Sequence, residues 1–210
     1  MTAKECCHRH HPEKDRRLFS LFLGLVVLVL FIIFLVFLIF LILRPAKPAF
    51  VLRDATIYQF NSSTAPSLLN TNMQVTLSSR NPNERIGIYY QKLDTYVSYR
   101  DQQITLPTLL PYSYQGHKEV INWSPFLCGS AVPVSPFLTA ALEQDRNAGS
   151  VLVDIKVDGR VKWKVGTWVS GKYHLHVNCP ALLVFEEPCC GIAVGPSVKI
   201  QVTQHCTVDV

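Results

Sequence analysis

The chain has 210 residues, of which 49% are hydrophobic, and carries a formal net charge of +5 at pH 7. This length is enough for one sizeable domain with additional segments. The positive charge is too small to indicate binding to nucleic acid, so no nucleic-acid partner is expected.

Residues 1–17 lack apolar periodicity and are predicted to be a disordered, basic tail. Residues 18–43 contain no charged side chain, and Ser20 is their only polar one. As a helix this segment would measure about 39 Å, which exceeds the ~30 Å hydrocarbon core of a bilayer. A cleavable signal peptide has an apolar region of only about 7–15 residues. The segment is therefore predicted to be a retained signal-anchor, that is, a transmembrane helix.

Basic residues near the two ends of this segment predict its orientation. Five lie in the tail, whereas Arg44, Lys47 and Arg53 follow the segment. The excess before the helix predicts a cytoplasmic N-terminus and an extracellular C-terminal domain. The lipid bilayer is the first expected partner, because a basic tail attracts anionic headgroups. Residues 44–49 are predicted to be a proline-bearing linker.

From residue 50 to residue 210 the apolar side chains recur with a period of two. Residues 151–165 show this best, with apolar side chains at odd positions and charged ones at most even positions. An interruption is expected near Gly159. The one predicted helix of this region spans residues 135–146, with Ser135 as its cap and Pro136 in its first turn. Roughly seven strands at this spacing predict an all-β sandwich.

Cysteines and sequons both favour an oxidising compartment for this domain. Five cysteines follow residue 127, which suits a disulfide-forming environment. Asn61 and Asn122 each begin an Asn-X-Ser sequon and are predicted glycosylation sites. Cys6 and Cys7 lie in the basic tail, where palmitoylation is predicted. An unmodified, reduced tail remains the alternative.

The strand pattern also predicts one disulfide. Cys179 falls at a position where the alternation of its strand turns side chains inward, and Cys206 falls at such a position of the last strand. The two sulfurs would therefore meet if these strands are neighbours. The alternative pairs one of these cysteines with Cys189 or Cys190. A metal site formed by His174, His176, Cys179, His205 and Cys206 is the less favoured interpretation, because cysteines in an oxidising compartment pair more often than they bind zinc.

Arg160, Lys162 and Lys164 form a cationic stripe on the polar face of residues 151–165. The first interpretation is a solvated strand face that resists edge pairing. The functional alternative is a binding stripe for acidic cell-wall polysaccharide or anionic headgroups. No catalytic motif is present, so the sequence predicts neither an enzyme nor a cofactor.

Several motifs in fixed order resemble the plant NHL, or harpin-induced-like, family. They are listed in chain order as Asn81-Pro82-Asn83, residues 86–90, Tyr99-Arg100, residues 159–166, Val177-Asn178-Cys179 and residues 206–210. The outer domain of that family is similar to the group 2 late-embryogenesis-abundant domain. The resemblance implies an immunoglobulin- or fibronectin-like sandwich and a plasma-membrane location.

The same resemblance implies a non-enzymatic interaction protein in defence against pathogens. The alternative is protection of membranes or proteins during desiccation. Other membrane or cell-wall components are the expected partners, together with homo- or hetero-oligomers of related proteins.

Overall fold

The computed structural model describes residues 12–42, 45–64, 67–184, 198–199 and 204–210. They form two compact units, residues 1–44 and residues 45–210. The tail cysteines Cys6 and Cys7, and the loop cysteines Cys189 and Cys190, lie outside the described residues.

The first unit contains one helix, α1, which spans Pro12–Ile42. Within it Phe19–Leu38 has a mean hydropathy of 3.5, so this stretch is long and apolar enough to cross a membrane. The helix begins at Pro12, which lies inside the tail predicted to be disordered. Proline is favoured in a first turn, and the charged residues that follow it tolerate helical geometry. Helical structure therefore extends beyond the apolar segment on its N-terminal side.

The second unit is a sandwich of two antiparallel sheets with one helix. Its described strands are β1 (Ala49–Thr64), β2 (Ser67–Arg80), β3 (Ile86–Tyr99), β4 (Gln102–Gln103), β5 (Thr108–Leu110), β6 (Ser113–Gln115), β7 (Val120–Trp123), β8 (Phe126–Pro133), β9 (Ser150–Val165), β10 (Trp168–Val169), β11 (Tyr173–Val184), β12 (Val198–Lys199), β13 (Gln204–His205) and β14 (Thr207–Asp209). The helix α2 spans Pro136–Asn147. The predicted all-β sandwich behind an N-terminal apolar helix is therefore confirmed.

Two sheets can be distinguished by their pairing. Sheet A has the order β12-β1-β2-β7, with β13 also on β1 and β8 also on β2. Sheet B has the order β14-β11-β9-β3-β4, with β10 on β9 and with β5 and β6 on β3. Inward side chains of both sheets form one buried core, including those of Phe50, Leu77, Tyr90, Ile155 and Val177. The alternation of apolar and polar residues thus fills the space between the sheets.

The main strands are longer than expected. β1 and β9 have 16 residues each, and β2 and β3 have 14, whereas most strands span about 3–10 residues. Register shifts interrupt the pairing of β1 with β2, between Leu52 and Asp54 and between Ile57 and Gln59. Such bulges let a long strand twist without losing its pairing on either side.

Gly159 lies within a continuous strand, and the irregularity expected there belongs to the partner strand. β3 shifts register between Gln91 and Asp94, so that Lys92 and Leu93 bulge opposite Gly159. Lys92 has a φ of 46°. A Cβ at position 159 would lie 2.6 Å from the Lys92 carbonyl oxygen. Glycine is therefore required because the bulged backbone approaches so closely.

α2 begins as its sequence predicts. The Ser135 side chain accepts a hydrogen bond from the Leu138 amide at 3.3 Å, and Pro136 occupies the first turn. This cap satisfies one of the amides that a helix leaves unpaired at its start. The predicted helix of residues 135–146 is therefore confirmed to within one residue.

Candidate functional site

The cationic stripe lies on the outer face of sheet B. β9 is a central strand with β3 on one side and β11 on the other, so its charges do not protect a sheet edge. The side chain of Arg160 is exposed, and those of Lys162 and Lys164 are half-buried. Within the described part of the chain none of these three has a carboxylate within ion-pair distance, whereas the nearby Lys156 pairs with Asp101 at 3.3 Å. The stripe is therefore positive charge with no internal counter-ion among those residues.

Tyrosines from β3 and β6 surround one end of this stripe. The Lys164 ammonium lies 5.1 Å from the centre of the Tyr114 ring and 5.8 Å from that of Tyr89. The Tyr89 ring packs against Tyr114 at 4.6 Å and stacks with Tyr112 at 6.1 Å. Cation–π contact holds the lysine over the rings while its charge stays at the surface. We call Tyr89, Tyr112, Tyr114 and Lys164 the aromatic–basic cluster.

Gly87 makes room for this cluster. A Cβ at that position would lie 2.5 Å from the Tyr114 hydroxyl oxygen and 2.8 Å from the ring. Gly87 faces Lys164 across the β3–β9 ladder. The Tyr114 side chain can therefore cross the strand and reach the lysine only because residue 87 has no side chain.

A polar group lies further along the same face. The Asp158 carboxylate accepts a hydrogen bond from the Tyr96 hydroxyl at 2.7 Å, and its other oxygen lies 2.6 Å from His176 Nδ1. A shallow cavity of about 210 Å³ adjoins these residues and reaches Asp209 and Thr207. The acceptor Asp158 and burial together raise the pKa of Tyr96 to about 12. Tyr96 is thus a stable donor and not a nucleophile at neutral pH.

The stacked rings of His174 and His176 lie beside this group, with centres 6.3 Å apart. They were two members of the less favoured metal site, whose remaining ligands would be Cys179, His205 and Cys206. A disulfide removes both thiolates from that set. Among the described residues, no group of three or more potential ligands is arranged to hold a metal ion.

The disulfide joins Cys179 and Cys206, which lie 27 positions apart in the chain. His205 pairs with β1 in sheet A, whereas Thr207 pairs with β11 in sheet B. Cys206 is therefore the residue at which the chain passes from one sheet to the other. The Cys206 amide also donates a hydrogen bond to the Phe50 carbonyl oxygen at 3.0 Å. The disulfide therefore ties the crossing between the two sheets to the buried Cys179.

Asn83 fastens the linker to the sandwich. Its side chain accepts from the Ala46 amide and donates to the Ala46 carbonyl oxygen, both at 2.8 Å. Its amide group also donates to Asn81 Oδ1 at 2.9 Å, and Asn81 donates to the Ile86 carbonyl oxygen at 2.7 Å. Ala46, which lies in the predicted linker of residues 44–49, is therefore hydrogen-bonded to the folded unit that begins at Pro45.

The asparagines of both predicted glycosylation sites are exposed. Asn61 is exposed near the end of β1, where it pairs with Asn70 of β2. Asn122 is exposed on β7, while the neighbouring Trp123 is buried with 5% of its surface accessible. The alternation of the strand turns the asparagine outward and the tryptophan inward.

The aromatic–basic cluster is the feature that sequence reasoning missed. Tyr89 lies more than twenty positions before Tyr112 and Tyr114 in the chain, and it meets them only because β6 pairs with β3. Alternation along β3 could have placed Tyr89 on the outer face. No pattern in the sequence, however, shows which short strand lies beside it.

The molecule belongs to the class of β-sandwich domains that follow an apolar helix long enough to cross a membrane. Residues 76–180 match the family described as Late embryogenesis abundant protein. NDR1/HIN1-like protein 1 of Arabidopsis thaliana is 51% identical over 97% of this chain and 99% of its own. NDR1/HIN1-like proteins 12 and 26 of the same plant are 51% and 44% identical over 80% and 67% of this chain, and cover the same shares of their own lengths. The chain therefore belongs to the NDR1/HIN1-like family, with a late-embryogenesis-abundant group 2 domain.

Among solved structures, a protein from Archaeoglobus fulgidus covers 65% of this chain and 99% of its own chain. The identity is 7% and the TM-score is 0.35. This similarity is too remote for any comparison of sites.

Proposed function

We propose that the chain is a non-enzymatic interaction protein, anchored in the plasma membrane, that displays its sandwich outside the cell during the response to pathogens. One combination of features carries this proposal. A helix able to span a bilayer is followed by a domain with a disulfide between Cys179 and Cys206. Disulfides persist in oxidising compartments, so the domain belongs on the extracellular side of the membrane.

The outer face of sheet B supports binding as the mode of action. Arg160 and Lys162 project from a rigid central strand without carboxylate partners among the described residues, next to the aromatic–basic cluster. Unpaired surface charge attracts an acidic partner, and exposed aromatic rings supply a large contact area with a polar edge. The defence role rests on the resemblance to the NHL family and on the NDR1/HIN1-like relatives.

Proximity labelling in intact plant cells tests this proposal. A labelling enzyme fused after Val210 in the full chain would be supplied with a substrate that cannot cross the membrane. We expect labelled cell-surface proteins whose identity changes after treatment with a pathogen elicitor. The matched control is an Arg160→Gln, Lys162→Gln variant, which removes two charges without altering the core and is expected to lose part of the labelled set. An unchanged set under elicitor, with or without the substitutions, would contradict the proposal.

The match to the late-embryogenesis-abundant family favours one alternative, protection of membranes or proteins during desiccation. The same fusion discriminates between the two functions. A labelled set that responds to water loss and not to elicitor would favour protection.

A further inference from the structure

Three adjacent strands form a continuous surface around the cationic stripe on the outer face of sheet B. Arg160 of β9 faces Gln91 of β3 on one side and His174 of β11 on the other. Lys162 of β9 faces Tyr89 of β3. Residues directly opposite each other in antiparallel strands have their Cβ atoms only about 4.5–5.5 Å apart. The stripe is therefore the centre of one surface and not an isolated row of side chains.

The positive charge of this surface is arranged in a line. Arg160, Lys162 and Lys164 occupy alternate positions of β9, so successive charges are about 7 Å apart and the line is about 13 Å long. None of the three has a carboxylate within ion-pair distance among the described residues. The preceding outward position holds Asp158, whose carboxylate already contacts His176 at 2.6 Å. A partner with several negative charges in a row would complement this line.

Tyrosine rings continue the surface on the side of β3 and β6. The side chain of Tyr112 is 63% exposed and that of Tyr114 is 41% exposed. The Tyr114 ring packs against Tyr89 at 4.6 Å and lies 5.1 Å from the Lys164 ammonium. Each ring combines a broad apolar face with a hydroxyl group that can donate a hydrogen bond. Rings next to cations suit a molecule whose C–H-rich faces and carboxylates alternate along its length.

We propose that this surface binds an acidic polysaccharide, namely a chain of uronic acid sugars whose carboxylates are not esterified. The inference rests on the proposed function, because it names the partner of the binding surface described there. Carboxylates of successive sugars pair with Arg160, Lys162 and Lys164. The C–H face of a sugar ring packs on the exposed rings of Tyr112 and Tyr114, whose hydroxyl groups can bond to sugar oxygens.

The composition of the surface favours this occupant over a membrane or an acidic protein. The described cross-strand neighbours of Arg160 and Lys162 are Gln91, His174 and Tyr89, and none of these is aliphatic. The surface therefore offers little to the hydrocarbon of a bilayer. Charged residues are depleted at the centre of protein–protein interfaces, whereas here the charges occupy the centre. A linear polyanion needs only a narrow line of contacts across a flat sheet.

Protection of lysines from an amine-reactive reagent tests the proposal without any substitution. The full chain in neutral detergent would be mixed with polygalacturonate in calcium-free buffer, and the modified lysines would be identified by mass spectrometry. We expect modification of Lys162 and Lys164 to be lost as the polymer saturates the protein. Lys156, which pairs with Asp101 further along β9, is the internal reference and should react as before. Fully methyl-esterified polygalacturonate should protect neither lysine, because its carboxylates carry no charge.

A matched pair of variants separates the position of the charge from its amount. Arg160→Gln with Lys162→Gln should weaken the binding of polygalacturonate about fivefold, as expected for the loss of two exposed ion pairs. Arg53→Gln with Arg80→Gln removes the same charge from exposed positions of sheet A and should leave the affinity unchanged. Titration calorimetry of the full chain in detergent measures both variants.

A second pair of variants tests the contribution of the aromatic ring. Tyr112→Ser should weaken the binding of polygalacturonate about fivefold, because a ring contact is lost. The same substitution should not weaken the binding of polyglutamate, which has the charge without the sugar ring. Tyr58→Ser is the control, since Tyr58 is 52% exposed on sheet A.

Three results would overturn the proposal. The first is equal protection of Lys162 by the esterified and the unesterified polymer, or protection by neither. The second is protection by polyglutamate that equals that of polygalacturonate, with no effect of Tyr112→Ser, which would indicate an acidic protein. The third is protection only by mixed micelles that contain phosphatidylserine, which would indicate a membrane. If the protein does not bind the polymer but its labelled set in cells still depends on Arg160 and Lys162, this inference fails and the proposed function stands.

Discussion

Single residues determine how closely the strands of this domain approach one another. Gly159 accepts the bulged backbone of β3, and Gly87 lets the Tyr114 ring cross its strand. Asn83 satisfies both backbone groups of Ala46 with one side chain. Cys206 holds the chain where it changes sheets. Each of these roles depends on a specific atom or on its absence, so each can be tested by one substitution.

Gly159→Ala is expected to lower the free energy of unfolding by about 1–3 kcal/mol, the usual cost of excess volume in a packed site. The added Cβ would lie 2.6 Å from the Lys92 carbonyl oxygen and 2.9 Å from Leu93 Cα, which are backbone atoms that cannot rotate away. The control is Gly171→Ala, where no atom lies within 4 Å. Thermal unfolding of the full chain in detergent measures both variants, and equal midpoints would contradict the account.

Replacing Cys179 and Cys206 together by alanine is expected to cost about 3 kcal/mol of stability, because the closed loop no longer restricts the unfolded chain. Cys128→Ser is the control, since Cys128 is a free cysteine on the surface. Peptide mapping without reduction should recover the Cys179–Cys206 cross-link from the native protein. Free thiols at both positions in protein from the cell surface would show this assignment to be wrong.

Elements are joined through side-chain hydrogen bonds as well as through the core. The hydroxyl of Tyr99, at the end of β3, donates to Asp145 of α2 at 2.6 Å, and Arg100 pairs with the same carboxylate at 3.2 Å. Burial and the acceptor Asp145 raise the pKa of Tyr99 to about 12. The pKa of Tyr96 is raised to about 12 by its hydrogen bond to Asp158, and this bond joins β3 to β9. These tyrosines must stay protonated for the contacts to persist.

Stability should therefore fall at high pH. An unfolded tyrosine has a pKa of about 10, and both folded values are higher, so the stabilisation is complete below pH 10 and is lost as pH rises toward 12. The Tyr96→Phe, Tyr99→Phe variant should be less stable at neutral pH and should lose less stability across that window. Tyr112→Phe, on an exposed ring, is the control. Urea unfolding at a series of pH values measures this, and parallel curves for all variants would contradict it.

Asn83→Ala should release the segment of residues 45–48 from the domain. Asn83 is 8% exposed, and its removal leaves the backbone groups of Ala46 without their partners. The expected cost is about 1–3 kcal/mol, together with faster cleavage of this segment by proteinase K in detergent. Asn178→Ala is the control, because Asn178 is exposed and has no side-chain hydrogen bond among those of the described residues. Equal cleavage rates would show that Asn83 does not hold the segment.

The sequence predicts the sandwich well because alternation reports directly on which side chains face the core. In β9 the odd positions 151–157, 161 and 163 are buried. The strand continues through Gly159 because a bulge forms in β3, and a bulge depends on pairing between strands that local patterns do not contain. The aromatic–basic cluster escaped prediction for the same reason. The alternation of inward and outward positions predicts that the Cys206 side chain faces the core. It does not predict that Cys206 lies between the two sheets.

At the scale of the whole molecule, the sandwich is proposed to be an extracellular domain that is anchored by its N-terminal helix. The outer face of sheet B carries the cationic stripe and the aromatic–basic cluster, and it is the surface that the proposed function offers to partners. Glycans would further restrict the surfaces that can bind. Asn61 lies on sheet A, and Asn122 lies there as well, so glycans at either position would leave the outer face of sheet B open.

Digestion with an N-glycosidase should lower the mass of the mature protein from plant membranes. The Asn61→Gln, Asn122→Gln variant should have the lower mass without treatment, and each single variant identifies the occupied position. The control is Asn70→Gln, which lies on the neighbouring strand outside any sequon. A wild-type mass that does not change would contradict the prediction that these sites carry glycan.

Protease protection in intact protoplasts tests the central claim most directly. The full chain would carry one epitope before Met1 and another after Val210, and protease would be added outside the cells. The account predicts loss of the C-terminal epitope and protection of the N-terminal one, with both lost once detergent is added. Loss of the N-terminal epitope with protection of the C-terminal one, or protection of both, would contradict an extracellular sandwich anchored by its N-terminal helix.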